Sequence, residues 1–286
     1  MPDVPLIATA MTIAGSDSGA GAGIQADLKT FAALGVYGTS VVTAVTAQNT
    51  TSVLAIAEVP EEVIVHQIDG VMDDIGANAL KTGMLSSASI IEVVADRIDA
   101  WGISHVVVDP VMVAKSGDAL LHPTAVRSLI KHLLPLALVV TPNLAEAEVI
   151  AKMRIETDSD AERAARIIGE MGPRYVVIKG GHRGGEEATD LVYDGTACAR
   201  MSAPWVQTAN THGTGCTFSA AIAAYLARGE TAPESIRNAK LYLSQALVHS
   251  YAVGAGHSPV NHFHAFPELN PSAIIAISGG LHGSRE

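Results

Sequence analysis

The sequence contains few cysteines, few basic residues and no long apolar run, and each shortage excludes a class of protein. Only Cys198 and Cys216 occur in 286 residues, without a CxxC pair, which excludes a disulfide framework and fits a reducing compartment. Lysine and arginine number 18 against 29 acidic residues, and the net charge of −11 argues against a nucleic-acid or membrane surface. The apolar runs are only strand-length, so we expect no membrane-spanning helix.

The remaining composition is that of an ordinary folded protein. With 48% hydrophobic and 16% charged residues, the chain can build a large core. We expect a single domain over residues 1–286, with about 267–286 forming a C-terminal tail that has no evident role. Because no basic segment precedes the first apolar run, we expect no signal peptide and a cytoplasmic location.

Short apolar runs alternate with helical patterns along most of the chain. This alternation predicts an α/β fold in three layers, α/β/α, with a mostly parallel central sheet. A hairpin is predicted around an Asp194-Gly195 turn. The predicted strands are Leu6–Gly15, Ser40–Gln48, "ALKTG", "HVVVDPVM", "ALVVTPN" and "YVVIKGGH"; the predicted helices include Ala22–Leu34, Glu61–Gly76, Gly215–Ala227 and Pro233–Val253.

Polar residues follow several of these strands. Ligands of open α/β sheets bind beyond the carboxyl ends of the strands, so these residues are candidates for a site. They are Asp17, Gln48, Lys81, Asp109, Asn143 and Lys179.

The first glycine-rich loop, "AGSDSGAGAGIQAD", has neither the GxGxxG spacing of dinucleotide folds nor the GK[ST] ending of a P-loop. A tight strand-to-helix turn explains its glycines. It does not explain Asp27, which lies a full turn into the helix and is expected to face the cleft.

Two later segments suggest phosphate and metal chemistry. Asn143 and Glu146 form a capping box by their spacing, and such a helix start can also direct a carboxylate toward Mg²⁺-bound water, together with Asp109. Lys179 ends a buried strand, where a lysine can reach a phosphate.

The segment "NTHGTGC" carries the strongest local signal. Gly213 and Gly215 free the backbone to turn its N–H groups toward one point, at the positive end of the helix that follows. Cys216 stands among these amides, so we expect its thiol pKa to lie below about 8.5. We interpret His66, His105, His257 and the His262–His264 pair as structural or surface residues.

With these motifs assembled, the chain resembles the ribokinase superfamily and, more narrowly, the hydroxymethylpyrimidine/phosphomethylpyrimidine kinases of thiamine biosynthesis. The resemblance covers roughly Ala10 to Phe266. It rests on "TIAGSDSGAGAGIQADLKTFAALGVYG", "TAVTAQNT", "KTGML", "VVDPVMVAKSG", "LLPLALVVTPNLAEAE", "VVIKGGH" and "NTHGTGCTFSAAIAAYLARG".

The resemblance implies a ribokinase-like fold, transfer of the ATP γ-phosphate to a hydroxymethylpyrimidine and then to its monophosphate, a need for Mg²⁺, and a homodimer. It also implies a set of roles. Cys216, Gly213, Thr214 and Gly215 would be the catalytic residues. The pyrimidine would be bound by Gln48, Asp27, Gly15, Met84 and Val111, and ATP by Lys179, Asn143 and Thr211. Asp109 and Glu146 would hold the metal ion through water.

Other interpretations stay open. Pyridoxal also bears a hydroxymethyl group, so the same site suits a pyridoxal kinase. A pyrimidine sensor without turnover and a bare α/β scaffold are further alternatives. For Gln48, the alternative to ring recognition is a cap on the following "NTTS" turn.

Overall fold

The computed structural model describes residues 7–112, 123–180 and 186–266, and in these ranges nine strands form one sheet. The spatial order is β3-β2-β1-β4-β5-β6-β7-β8-β9. The strands are β1 Thr9–Asp17, β2 Tyr37–Gln48, β3 Val53–Glu58, β4 Ala79–Thr82, β5 Val106–Val108, β6 Val139–Val140, β7 Tyr175–Ile178, β8 Glu187–Tyr193 and β9 Cys198–Pro204.

The sheet is parallel through its middle and antiparallel at both edges. Strands β2, β1, β4, β5, β6 and β7 run parallel, whereas β3 pairs antiparallel with β2, and β8 and β9 continue antiparallel from β7. The chain leaves β1 toward β2 on one side and later returns to β4 on the other. A crevice therefore opens beyond the carboxyl ends of β1 and β4, where such folds bind ligands.

Helices cover both faces of the sheet and complete three layers. One face carries α2 to α6 and the other carries α1, α7 and α8. The helices are α1 Gly23–Ala33, α2 Glu61–Asp74, α3 Ala88–Ala100, α4 Pro123–Ser128, α5 Leu144–Ala151, α6 Asp158–Gly169, α7 Thr214–Ala227 and α8 Ala232–Val248.

Successive residues of the central strands pack into opposite cores. Met11, Leu80 and Val108 belong to the core under α2 to α6, whereas Ala79 and Val107 pack against α7 and α8. Both faces are buried, which explains why these strands are continuously apolar in sequence.

The fold confirms the predicted mostly parallel sheet and the hairpin around Asp194-Gly195. Strand β3 was not predicted, because five of its six residues are exposed and only pairing with β2 holds it. The last helix was predicted to reach Val253, but α8 ends at Val248. The chain beyond it bonds instead to Thr50, whose carbonyl accepts from the amide of His257.

The tail expected over residues 267–286 lies outside the described part of the chain. Within the part that is described, no helix is both long and apolar enough to cross a membrane.

Candidate active site

The carboxyl ends of the central strands open into a cavity of about 760 Å³. It extends from the end of β1, across the loops after β4 to β7, to the first turn of α7 and the side of α8. Thirteen of the fourteen residues to which the resemblance assigns a role line this cavity, and Asp27 is the exception. The thirteen are Gly15, Gln48, Met84, Asp109, Val111, Asn143, Glu146, Lys179, Thr211, Gly213, Thr214, Gly215 and Cys216.

The first turn of α7 is a candidate anion site within this cavity. Gly213 is the N-cap, with a φ of 76°, and a Cβ there would collide with the carbonyl of Gly21. No side chain caps the helix, so the amides of Gly215 and Cys216 have no acceptor within it. A Cβ on Gly215 would lie 3.3 Å from the Lys179 Nζ, which shows how closely the lysine approaches these amides. Unpaired amides, the positive end of the helix and the ammonium group therefore lie close together at this point, a combination that favours an anion.

Cys216 lies at this point, but its predicted low pKa is wrong. Burial raises the pKa of the thiol to about 11, and the negative charges of Asp27 and Asp109 add to that increase. Lys81 and a hydrogen bond from the Gly23 amide favour the thiolate but do not reverse the effect. The prediction rested on the helix N-terminus alone, whose effect on the thiol pKa is outweighed by desolvation and by the two carboxylates. The resting residue is therefore a neutral thiol.

Asp27 does not face the cavity, which corrects the expectation that it touches a substrate. Its side chain is fully buried, with the Lys81 Nζ at 2.8 Å and the Thr12 hydroxyl donating to it at 2.6 Å. Burial raises the pKa of Asp27, while the charge of Asp27 raises the pKa of Lys81 against the opposite effect of burial. Because the lysine keeps its proton at this distance, the two side chains form an ion pair. Asp27 thus holds Lys81 beneath the cavity, and Lys81 itself lines it.

Asp109, Glu146 and Lys179 form an acidic and basic cluster beside the anion site. The Lys179 Nζ donates to Asp109 at 3.0 Å, and the hydroxyls of Thr141 and Ser219 donate to the same carboxylate at 3.3 Å each. Burial raises the pKa of Glu146 to about 7; Lys179 opposes this shift and Asp109 adds to it.

The capping box at the start of α5 is confirmed. The Asn143 side chain accepts from the Glu146 amide at 2.9 Å, and Glu146 accepts from the Asn143 amide at 2.8 Å. This bonding uses one oxygen of Glu146, Oε2. In the described residues, no cluster of three or more His, Cys, Asp or Glu side chains forms a ready metal cage. The carboxylates of Asp109 and Glu146 nevertheless offer the oxygen ligands that Mg²⁺ prefers. This ion keeps several of its waters and also takes phosphate oxygens.

Gln48 lies at the other end of the cavity, at the end of β2. Its alternative role as a cap on the following turn is wrong, because the Asn49 side chain accepts from the amides of Thr51 and Ser52 instead. Met84 packs where a side chain on Gly15 would lie, which gives this end of the cavity an apolar wall.

Three features of the site were not predicted from the sequence. The first is His212, which lies 3.0 Å from the Asp17 carboxylate. The second is the role of Asp17 itself, which the sequence marked only as a strand end. The side chain of Asp17 accepts hydrogen bonds from the amides of Gly19, Gly21 and Ala22. An aspartate two residues before a glycine run is typical of such a turn, so its position in the sequence could have predicted this role.

The third feature is an apolar extension of the cavity toward α8. Trp205, Val206, Leu243 and Leu247 line it beside the Lys240–Asp190 ion pair of 2.7 Å. No sequence motif predicts this apolar extension, because its residues come from a strand end and from one side of a long helix.

Comparison with known proteins identifies the relatives of this chain. The model of a family described as phosphomethylpyrimidine kinase matches residues 17–261. A hydroxymethylpyrimidine/phosphomethylpyrimidine kinase of Rhizobium meliloti is 52% identical over 91% of this chain and 98% of its own. An ADP complex of Bacillus subtilis pyridoxal kinase superposes with a TM-score of 0.85 at 39% identity, over 91% and 98% of the two chains. A phosphomethylpyrimidine kinase of Clostridium difficile has 43% identity and a TM-score of 0.75, over 84% and 99%.

Proposed function

The chain belongs to the phosphomethylpyrimidine kinase family, and we propose that the cavity described above carries out both phosphorylations of 4-amino-5-hydroxymethyl-2-methylpyrimidine. It is an ATP-dependent hydroxymethylpyrimidine and phosphomethylpyrimidine kinase of thiamine biosynthesis. The observation that carries the proposal is that Gln48, Lys179 and the first turn of α7 all line one cavity. We further propose that the enzyme works in the cytoplasm as a homodimer.

The phosphates of ATP are assigned to the middle of the cavity. Lys179 supplies a charge next to the free amides of Gly215 and Cys216, and Asn143 and Thr211 line the same cavity. The nucleobase is assigned to the apolar extension beside Trp205 and Leu247, because apolar and aromatic side chains line it.

The transfer itself depends on positioning and electrostatics. The amides of Gly215 and Cys216 stabilise the charge on the transferred phosphoryl group, because they are fixed before the reaction begins. Gly213 and Thr214 shape this turn, in which the Thr214 amide donates to the Thr211 carbonyl at 3.3 Å. We assign Cys216 to proton removal from the substrate hydroxymethyl group through its minor thiolate form. The second acceptor is a phosphate that is already ionised, so this proton transfer belongs to the first step alone.

Asp109 and Glu146 would hold Mg²⁺ through its waters. Bound there, the metal ion would neutralise charge on the ATP phosphates. The residues of this chain that prepare the place are Lys179, which holds the Asp109 carboxylate, and Asn143, whose amide orients Glu146.

The pyrimidine is assigned to the end of the cavity near β2. Gln48 offers a flat amide with one acceptor and one donor, which matches an aminopyrimidine edge. Gly15 leaves room for the thioether of Met84 against the ring, and Val111 adds to the apolar wall.

Pyridoxal is the second candidate substrate, because a pyridoxal kinase is among the similar solved structures. A coupled assay of ADP release on the aminopyrimidine and on pyridoxal separates the two. We expect a higher kcat/KM for the aminopyrimidine; a higher value for pyridoxal would overturn the assignment. Tight pyrimidine binding without ADP release would instead indicate a sensor.

A further inference from the structure

One ring nitrogen of His212 contacts both Asp17 and Gln48, at the end of the cavity formed by β1 and β2. This nitrogen, Nε2, lies 3.0 Å from Oδ2 of Asp17 and 3.4 Å from Nε2 of Gln48. The ring is buried, with no room for even a methyl group on Gly21 beneath it, and the His212 amide donates to the carbonyl of Ser258 at 3.0 Å. The position of this nitrogen is therefore fixed by packing on several sides.

Asp17 determines which ring nitrogen carries the hydrogen. Burial alone would raise the pKa of Asp17, but hydrogen bonds from His212 and from the amides of Ala22 and Gly19 hold it below its ordinary value. A carboxylate can only accept, so His212 donates to it through an Nε2–H group. The same nitrogen then has no lone pair for the Gln48 amide.

Two neighbours consequently require the same orientation of the Gln48 amide. The one hydrogen on His212 Nε2 is donated to Asp17 at 3.0 Å, and the Gln48 amide meets the same N–H at 3.4 Å. An amide oxygen can share that hydrogen, whereas an NH₂ group would oppose it hydrogen to hydrogen, so the oxygen belongs on that side. On the other side, the Thr46 hydroxyl lies 3.2 Å from the amide and donates its single proton to the Ser16 carbonyl at 3.0 Å. Its remaining lone pairs call for the NH₂ group. Rotation of the amide by 180° satisfies both neighbours at no cost in shape.

We propose that His212 is a positioning residue that sets substrate specificity by fixing which way the Gln48 amide points. The inference rests on the proposed role of Gln48 in reading the ring. Thr46 cannot fix the amide alone, since its hydroxyl rotates and can donate to Gln48 in place of Ser16. The His212 N–H cannot rotate away, because Asp17 and the backbone hold the ring.

The consequence is a fixed order of acceptor and donor at the substrate edge. An aminopyrimidine pairs an N–H donor with a ring-nitrogen acceptor. The 4-oxo analogue, in its lactam form, presents the reverse order and would need the reverse amide. The fixed amide therefore selects the amino compound over its oxo analogue, which has nearly the same shape.

The test compares binding of these two pyrimidines by calorimetry in wild type, His212→Leu, His212→Gln and Gln48→Leu. We expect the wild type to prefer the amino compound roughly ten- to a hundredfold, since a mismatch leaves the Gln48 amide unpaired against the bound ring. His212→Leu should bring the two affinities within a few-fold of each other. His212→Gln keeps an N–H donor in reach and should retain most of the preference. A merely structural role of His212 would weaken both ligands and leave their ratio unchanged.

The Gln48→Leu variant separates the two proposals. If it keeps the preference, Gln48 does not read the ring, and the role of His212 fails with it. If Gln48→Leu loses the preference and His212→Leu retains it, only the His212 inference is overturned. Should His212→Leu fail to fold by circular dichroism, His212→Phe keeps a ring over Gly21 without a donor. Retention of the preference in that variant would overturn the inference in the same way.

Discussion

At the scale of single residues, Cys216 shows how the environment reverses a local argument. A helix N-terminus lowers a thiol pKa, but this thiol is also desolvated and faces Asp27 and Asp109. The pKa of about 11 leaves about one thiol in ten thousand ionised at pH 7, so a base role has a specific signature in the pH profile.

We expect the rate of the first phosphoryl transfer to rise by about tenfold per pH unit between pH 7 and 10. The sign follows because the active base is the deprotonated form of a group with a raised pKa. Single-turnover kinetics over this range would measure it, with the second transfer as the internal control. In Cys216→Ala the slope should vanish and the first rate fall by about 10²–10⁴ at high pH. A flat wild-type profile would leave the amides of α7 as the catalyst without a base.

Asp109 and Glu146 provide the second prediction at this scale. Asp109→Asn or Glu146→Gln should raise the Mg²⁺ concentration needed for half-maximal rate, because each removes one of two carboxylates near the phosphates. Glutamine at 146 still completes the capping box, so α5 should stay intact. Glu148→Gln, on the same helix, is the matched control. The same Mg²⁺ dependence in all four proteins would reduce both residues to capping and packing.

At the scale of elements, helix α5 carries a correctable strain. Its C-cap, Lys152, is exposed and left-handed, with φ 53° and ψ 42°, a conformation that favours glycine. Lys152→Gly should raise the free energy of unfolding by about 0.5–1 kcal/mol, after allowance for the greater entropy of glycine in the unfolded chain. Urea unfolding would measure the change. Lys152→Ala keeps the strain and should give no gain; an equal gain there would assign the effect to the lost charge.

Elements buried on both faces were predictable from sequence, and elements held by pairing or tertiary contacts were not. The apolar runs of β1 and β4 to β7 reflect their two-sided burial, and the glycines before α7 reflect its start. Strand β3 lacks a buried face, and α8 ends where the chain bonds to Thr50.

In the site, motif positions placed Gln48, Asp109 and Lys179 at one edge of the sheet. The Asp27–Lys81 pair and His212 were not predictable, because their contacts join residues 54 and 195 positions away in the chain.

At the scale of the whole molecule, the outer strand leaves large apolar side chains uncovered. Leu54 is 74% exposed and Ile56 43% exposed, and the two lie on one face of β3. Exposed apolar residues on an edge strand invite pairing with another chain, and the resemblance implies a dimer. We therefore expect the contact of the proposed homodimer at this edge.

Sedimentation velocity tests the dimer. The wild type should sediment at twice the mass of one chain, and Leu54→Lys should shift the equilibrium toward monomer. Leu241→Lys changes a side chain that is 58% exposed on α8 and serves as the control. A monomeric wild type would contradict the homodimer, and a dimeric Leu54→Lys variant would move the contact elsewhere.

Phosphorus NMR of the products during turnover would show whether one cavity performs two successive phosphoryl transfers to the aminopyrimidine. With ATP, Mg²⁺ and 4-amino-5-hydroxymethyl-2-methylpyrimidine, a monophosphate resonance should appear first and then give way to the two coupled resonances of a diphosphate. Lys179→Met should slow both stages together, because both use the same phosphate site. A product that stops at the monophosphate, or a variant that loses one stage and keeps the other at full rate, would contradict the claim.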